Sequence, residues 1–407
     1  MMRYMKRTFY LLTLICAVLM PLMPVRAASL SSQLSGRILL SVEQNGEAWY
    51  VNPTELKRYF LGRPDDAFRI MRQLGLGITN SDFQQIAASN NPVTGNTALA
   101  KRLSGRIIIE VEKNGEAWYI NPLDLKKYYL GRPADAFAVM RQLGLGIRIR
   151  DLALIRRAGA TGTINRYSSH ETRSITTADL GTFTVDIITI DLTNPYLKIR
   201  TLAAASGNCT AACPAKSVAE YYEIGRGFAA MNGTYFDTSA AKRNYYFFPL
   251  YDSLKGVFIN EDQLKYWTTG PIMAFDINNK FYYFKDSRDF KSVSNFEATR
   301  GVKLQAAIGN KPRLIEEGLN YLIDWEVDTN QRTVKTLRNA IGYANNKLYL
   351  VVARKATVPD LAQVMQALGV QYAINLDGGG STAVMYDTEY MLGPGRDVPN
   401  AIVFSEE

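Results

Sequence analysis

The chain has 407 residues, with 47 Lys+Arg against 38 Asp+Glu, three Cys and one His. That length argues for two or three folded units, and 47% hydrophobic with 21% charged residues excludes disorder of the whole chain. One histidine excludes a multi-histidine metal centre and leaves any serine or cysteine triad dependent on His170, so carboxylates, amides, hydroxyls and peptide N–H groups must carry most of the chemistry.

Arg3, Lys6 and Arg7 precede an apolar run from Phe9 to Leu22, closed by Val25-Arg26-Ala27. A basic start, a short apolar middle and small residues at the cut predict a signal peptide over residues 1–27, cleaved after Ala27, and a secreted or cell-surface protein. A retained signal anchor is the other reading, although the run is short for a spanning helix. No later stretch is long and apolar enough to span a membrane. Removing residues 1–27 takes away four basic residues and no acids, so the formal charge falls from +9 to +5. The mature protein is mildly basic, and no nucleic-acid partner is expected. Cys16 leaves with the signal. Cys209 and Cys213 remain as an even pair in an exported chain, which favours a disulfide over free thiols.

Residues 34–83 recur as residues 103–152. Asn45-Gly46-Glu47-Ala48-Trp49-Tyr50 returns as Asn114-Gly115-Glu116-Ala117-Trp118-Tyr119, and Met71-Arg72-Gln73-Leu74-Gly75-Leu76-Gly77-Ile78 returns as Met140–Ile147. Such self-similarity marks a duplicated module. In each copy an apolar run, Asn-Gly and a Trp-Tyr run predict a β-hairpin, because Asn-Gly accepts the positive φ of a tight turn. A third short strand is expected around Lys57–Leu61. Ala67, Phe68, Met71 and Leu74 have helical spacing, ending at Gly75. The paired Trp and Tyr would either stack on sugar rings, making the repeats a cell-wall or glycan attachment device, or form the core of a very small domain. Residues 84–102 and 153–167 read as linkers, with Ala, Ser, Asn and Pro in the first and small residues in the second. The arginines around the second, Arg148, Arg150, Arg156, Arg157 and Arg166, read as a solvated surface.

Residues 168–407 change in pattern. Strand-like runs lie at Phe183–Leu192, Leu197–Ala203, Phe281–Phe284, Ala340–Tyr343, Leu348–Val352 and Ala401–Phe404. A helix is predicted over Val358–Leu368, entered after Thr357 and stopped by Gly369, with a short apolar strand following at Tyr372–Leu376. Helices do not alternate strictly with strands, so the fold class is α+β, with a mixed β-sheet domain behind two small hairpin-and-helix modules.

Three segments there carry candidate chemistry. Met231-Asn232-Gly233-Thr234-Tyr235-Phe236-Asp237 follows an apolar strand and gathers an amide, a phenol and a carboxylate. Arg338-Asn339-Ala340-Ile341-Gly342 offers a guanidinium that would fork onto an oxyanion. Asn375-Leu376-Asp377-Gly378-Gly379-Gly380-Ser381-Thr382 puts three glycines after a strand, where peptide N–H groups can approach a ligand closely and form an anion-binding hollow. It is neither a nucleotide P-loop nor a Gly-x-Ser-x-Gly elbow. The plain alternatives are a turn-capping role for Asp377, a structural ion pair for Arg338 and a loop cap for Asp237. His170, in a polar stretch, reads as a surface or structural residue.

On these residues the chain resembles the phosphodiester glycosidase family over roughly residues 168–407. Asn375–Thr382 is close to the family's Asn-Leu-Asp-Gly-Gly-Gly-Ser block. Asn232–Asp237 is similar to its Asn-Gly-x-Phe-Phe block with Tyr235 in place of Phe, and Arg338–Gly342 to its Arg-Thr-Ala-Ile-Gly block with Asn339 in place of Thr. Residues 396–402 resemble the family's closing segment. The resemblance implies hydrolysis of a sugar-1-phosphodiester at the anomeric carbon. Phosphate is a good leaving group, so strong proton donation is not needed, but charge developing on the sugar ring calls for a nearby carboxylate. Asp377 is expected as nucleophile or as base toward water, with Asp237 as the second carboxylate. The amides of Gly378, Gly379 and Gly380, with Ser381, Thr382 and Arg338, would hold the phosphate oxygens, and Asn232 and Tyr235 would orient the sugar. No cofactor is expected, though a carboxylate such as Asp377 would also suit a hard divalent cation. The competing readings are a non-catalytic glycan- or wall-binding protein and a phosphodiesterase that cuts the P–O bond.

Overall fold

A computed structural model describes residues 29–43, 46–61, 64–90, 95–158 and 167–406. The expected signal peptide lies outside these residues, as do Asn45 of the first hairpin turn and Arg166. The architecture is α+β, as the sequence predicts: two small sheet-and-helix modules precede a larger domain built of three sheets.

In the first module, strands Ile38–Ser41, Glu47–Val51 and Arg58–Phe60 form an antiparallel meander. The second repeats it with Ile107–Glu110, Ala117–Ile120 and Lys127–Tyr129. The helices Pro64–Leu74 and Pro133–Leu143 follow, ahead of short strands Leu76–Ile78 and Leu145–Ile147. These last strands are exchanged. Leu76–Ile78 pairs in parallel with Ile107–Glu110 of the second module, and Leu145–Ile147 pairs in parallel with Ile38–Ser41 of the first. Each sheet therefore needs both repeats, and the modules are interlocked.

Side-chain alternation along the strands serves two faces. Ile38, Ala48 and Tyr50 join Ile107, Tyr119, Met71 and Met140 in one shared core between the modules. Where the copies meet, Tyr50 donates its hydroxyl to the Gly105 carbonyl at 2.8 Å, and Tyr119 donates to the Gly36 carbonyl at 2.6 Å. A Cβ on Gly36 would sit 2.5 Å from the Cα of Gly105, so only glycine allows this approach. Trp49 lies on the opposite face with Leu39, Val51, Leu152 and Ile155, and Trp118 packs against the cluster of Phe83, Leu99 and Ile108. Trp49, Tyr50 and Tyr119 are thus buried core residues, and Trp118 is partly buried against the second module's core. The stretch expected as the first linker contains helix Thr97–Arg102, whose Leu99 and Ala100 are buried over the second module. Of the second expected linker, Ile155 is buried and the Ala158 N–H bonds to the Arg58 carbonyl; residues 159–166 lie outside the described set.

The larger domain has a seven-stranded sheet in the order Leu319–Asn320, Arg313–Glu316, Tyr372–Leu376, Thr336–Ala344, Lys347–Ala356, Thr182–Asp191, Ser168–Thr176. Neighbouring strands are antiparallel throughout. One face meets two five-stranded antiparallel sheets across a core that includes Ile188, Met231, Phe275, Ile341, Ile374 and Phe404. The other face is covered by helix Val358–Ala367, which buries Leu361, Ala362, Val364 and Met365. Thr357 and Asp360 form a capping box at its start, and Gly369 in the left-handed region follows its end. Cys209 and Cys213 form a disulfide. His170 pairs across from Ile188 on the edge of the large sheet, with Nε2 at 4.0 Å from Asp186 Oδ1, and Asp186 is itself held by Arg354.

The interlocked modules dock on the domain through a buried charge pair. Arg58, 1% exposed, donates Nε to the Ile155 carbonyl at 2.6 Å and Nη1 to Glu223 Oε2 at 2.8 Å, with its guanidinium 4.4 Å from the Trp49 ring centre. Glu223 belongs to helix Val218–Ile224 of the domain. Arg226 with Glu47 and Arg156 with Glu389 add ion pairs at the rim of the contact.

Candidate active site

Strands from two sheets end side by side at the candidate site. Ala229–Asn232 delivers Asn232, Tyr372–Leu376 delivers Asn375 and then Asp377, and their neighbour Thr336–Ala344 carries Arg338 and Asn339. Apolar residues on both sides of each strand drive it into the core, and the polar residues fall where the strands run out of apolar partners.

Asparagine side chains bind these strand ends together. Asn232 and Asn339 each donate Nδ2 to the Asp377 carbonyl at 2.7 Å, and Asn339 also donates to Asn232 Oδ1 at 2.9 Å. The Asp377 N–H bonds to the Gly233 carbonyl at 3.0 Å, so the Asp377 peptide is held from three directions. Asn310 donates to the Asn375 carbonyl at 2.7 Å and accepts from the Tyr235 N–H at 3.4 Å. Asn400 bonds Thr234 through both ends of its amide. All five amides are fully buried. A buried amide demands its full set of partners, so this lattice fixes its members rigidly. One group stands apart. Asn375 donates to the Tyr235 hydroxyl at 2.6 Å, but among the described residues its buried Oδ1 has no partner.

Asp377 begins the glycine bend. Burial pushes its carboxyl up to about 6, opposed by hydrogen bonds from Ser381 and the Gly378 N–H and by the charges of Arg396 and Arg338. Gly379–Ser381 form a single 3-10 turn. Gly378 must lack a side chain because a Cβ would lie 2.6 Å from the Leu337 carbonyl oxygen. Gly379 sits at φ +60°, and a Cβ on Gly380 would meet the Arg396 guanidinium at 2.5 Å. Burial and the nearby Asp377 charge push the Tyr235 hydroxyl up to about 12, so it remains a phenol.

The structure brings Asn232, Tyr235, Asn375, Asp377, Gly378, Gly379, Gly380 and Ser381 into one cluster. Thr382 is present, but its hydroxyl is given to Asn339 Oδ1 at 3.0 Å. Arg338 approaches Asp377 electrostatically, yet its guanidinium donates to the carbonyls of Asn330, Val334 and Ala356. Asp237 is a half-buried loop residue; hydrogen bonds from the Ser239 hydroxyl and from its N–H, at 2.8 Å, hold its carboxylate below the usual carboxylate range. Among the described residues, no group of three or more His, Cys, Asp or Glu comes together as a metal site.

Sequence reasoning passed over Arg396, Asn310 and Asn400. Arg396 was visible within the closing segment, but only its N–H bond to the Gly380 carbonyl brings it over the bend, where its exposed guanidinium faces the glycines. Asn339 was read as a departure from Thr. Its amide does work a hydroxyl could not, donating to two acceptors while accepting from Thr382.

Residues 227–405 match the family described as phosphodiester glycosidase. Among solved structures, the chain is similar to a hypothetical protein from Synechocystis, with 15% identity, a TM-score of 0.48, and coverage of 59% of this chain and 62% of that one. The chain therefore spans less than two thirds of that protein's length. It is also similar to the zebrafish N-acetylglucosamine-1-phosphodiester alpha-N-acetylglucosaminidase catalytic domain auto-inhibited by its pro-peptide, at 17% identity and a TM-score of 0.45, covering 61% of this chain and 87% of that one. No curated protein matches the sequence. The likeness is to a phosphodiester-glycosidase-type hydrolase domain over the C-terminal part of the chain.

Proposed function

We propose that the C-terminal domain hydrolyses the C1–O bond of a sugar-1-phosphodiester in a surface or extracellular glycan. The observation that carries this reading is the juxtaposition of a half-buried carboxyl raised to about 6 with a glycine bend overlain by an exposed guanidinium. Asp377 acts as base toward water. The water oxygen adds to the anomeric carbon, its proton passes to the carboxylate, and the phosphate departs with the electron pair of the C1–O bond. A base with a pKa near 6 is well matched to neutral pH, and a phosphate leaving group removes the need for a second carboxylate as acid. The glycine amides and Arg396 receive the phosphate oxygens. Ser381 orients Asp377. Asn232 takes part through the Asp377 peptide rather than by touching sugar, and the buried Asn375 positions the Tyr235 phenol.

Export through the signal at residues 1–27 fits this substrate, and among the described residues no helix is long and apolar enough to cross a membrane. Attachment to an anionic surface polymer falls to the exposed arginines and lysines of the N-terminal unit, since Trp49 is buried and Trp118 is packed against a core. The test is release of free sugar from a methyl glycosyl 1-phosphate by residues 28–407. Asp377→Asn should abolish release while leaving the circular dichroism unchanged, and labelled oxygen from water should end on the sugar. Label on the phosphate, or full activity of the variant, would refute the reading.

A further inference from the structure

Two tryptophans stand on the surface of the large domain, Trp267 at 52% and Trp325 at 45% exposure, with ring centres 5.0 Å apart and planes at 70°. Leaving two indoles in water is unfavourable unless a ligand covers them, and an exposed aromatic patch of this kind marks a binding surface. Their backbones are pinned. Glu326, next to Trp325, accepts from Arg313 Nε and Nη2 and from its N–H at 2.9–3.3 Å in a buried pair. Tyr266, next to Trp267, has its carbonyl bonded by Ser287 Oγ at 2.9 Å. Lys311 joins the two turns, donating to the Thr268 carbonyl at 3.3 Å with its ammonium 5.3 Å from the Trp325 ring centre. Side chains carried on a backbone held in place before binding lose less entropy when a ligand stacks on them.

Continuity with the candidate active site says what that ligand is. Lys311 directly follows Asn310, whose amide holds both the Asn375 carbonyl and the Tyr235 N–H. Lys311 thus ties the indoles to a segment that is itself bonded to the candidate site. Pyranose C–H faces stack on aromatic rings, and the ammonium matches a backbone phosphate. We infer that Trp267, Trp325 and Lys311 form a binding platform for a phosphate-bearing glycan chain, so that the protein grips several units of a polymer and not only the unit it cleaves. The identity of the ligand rests on the proposed hydrolysis; the platform itself does not.

The experiment uses residues 28–407 carrying Asp377→Asn, titrated with a long poly(glucosyl 1-phosphate) and followed by tryptophan fluorescence and affinity electrophoresis. Adding Trp267→Ala and Trp325→Ala is expected to weaken polymer binding about tenfold or more, as removal of a stacking ring does for other ligands. Trp267→Phe with Trp325→Phe should restore most of the affinity, which a purely structural role for the indoles would not predict. Lys311→Gln should weaken binding and flatten its dependence on salt. Equal polymer affinity with and without the two indoles, in proteins of unchanged circular dichroism, would overturn the platform. Hydrolysis of the methyl glycosyl 1-phosphate is scored separately in the wild-type background, so failure of the active-site reading leaves the binding result standing.

Discussion

The Asp377 carboxyl loses hydration on folding and regains only part of it from Ser381, the Gly378 N–H and two arginines, so its neutral form is favoured up to about pH 6. A base must be ionised to act, and kcat/KM should therefore rise with pH through an apparent pKa near 6 and then level off; a profile flat from pH 4 to 8 would exclude Asp377 as the base. The same shift bears on stability. The folded value lies above the unfolded one, so folding is disfavoured when Asp377 is ionised and the penalty disappears as pH falls from about 6 to below 4. Asp377→Asn should raise stability at pH 7 by roughly 1–3 kcal/mol in denaturant titrations, and by little at pH 4. A variant that is inactive yet more stable separates a functional carboxyl from a structural cap. The two arginines divide in a similar way. Arg396 is exposed, and Arg396→Ala should cut kcat/KM about 100-fold with an unchanged unfolding midpoint. Arg338 satisfies three backbone carbonyls while buried, and Arg338→Ala should first cost about 2–4 kcal/mol of stability.

At the scale of the element, the glycine bend shows that three identical residues serve three different purposes. Gly378→Ala drives a Cβ against the fixed Leu337 carbonyl and should cost about 1–3 kcal/mol of stability. Gly380→Ala meets the end of a flexible side chain, Arg396, and should lower activity with little effect on the unfolding midpoint. Thermal melts and kinetics on the two variants check this split, and the reverse pattern would contradict the phosphate role given to Arg396. Sequence alone located this bend because its signal is local: a short strand-like run broken only by Asn375, then Asp and three glycines. For the same reason it located Leu197–Ala203 and Phe281–Phe284 to the residue, and the helix Val358–Ala367 within one residue. What it missed was non-local. Leu76–Ile78 and Leu145–Ile147 are three-residue strands in parallel pairs, which have no hairpin turn to announce them and whose partners lie in the other repeat. Asn310 and Asn400 are single amides in unrelated segments, and only the fold brings them to Asn375 and Thr234. Closeness to Tyr235 along the chain does not set where the Asp237 carboxylate faces, and it bonds Ser239.

The whole molecule couples an interlocked pair of modules to a hydrolase-type domain through a charge pair withdrawn from water. Arg58 and Glu223 are both buried, and the Arg58 equivalent in the second module is Lys127, which among the described residues makes no such pair; its ammonium donates to the Phe83 carbonyl at 2.6 Å and burial lowers its pKa to about 8. The duplication has thus been used asymmetrically: the basic residue of one copy pairs with the domain, and that of the other bonds a carbonyl within the N-terminal unit. Helix Val218–Ile224, which carries Glu223, leads into the strand that ends at Asn232, so the docked modules brace an element one strand away from the candidate site. Breaking a buried pair by removing one partner leaves an uncompensated charge, at a cost of about 3–5 kcal/mol, whereas replacing both partners by apolar side chains can be neutral. Calorimetry should therefore show Arg58→Ala melting in two separated steps where the parent chain melts in one, with the modules released first. Arg58→Met combined with Glu223→Leu should restore a single step. If Arg58→Ala melts as the parent does, the modules are tethered by the chain and the rim pairs alone, and the docking has no energetic hold on the domain.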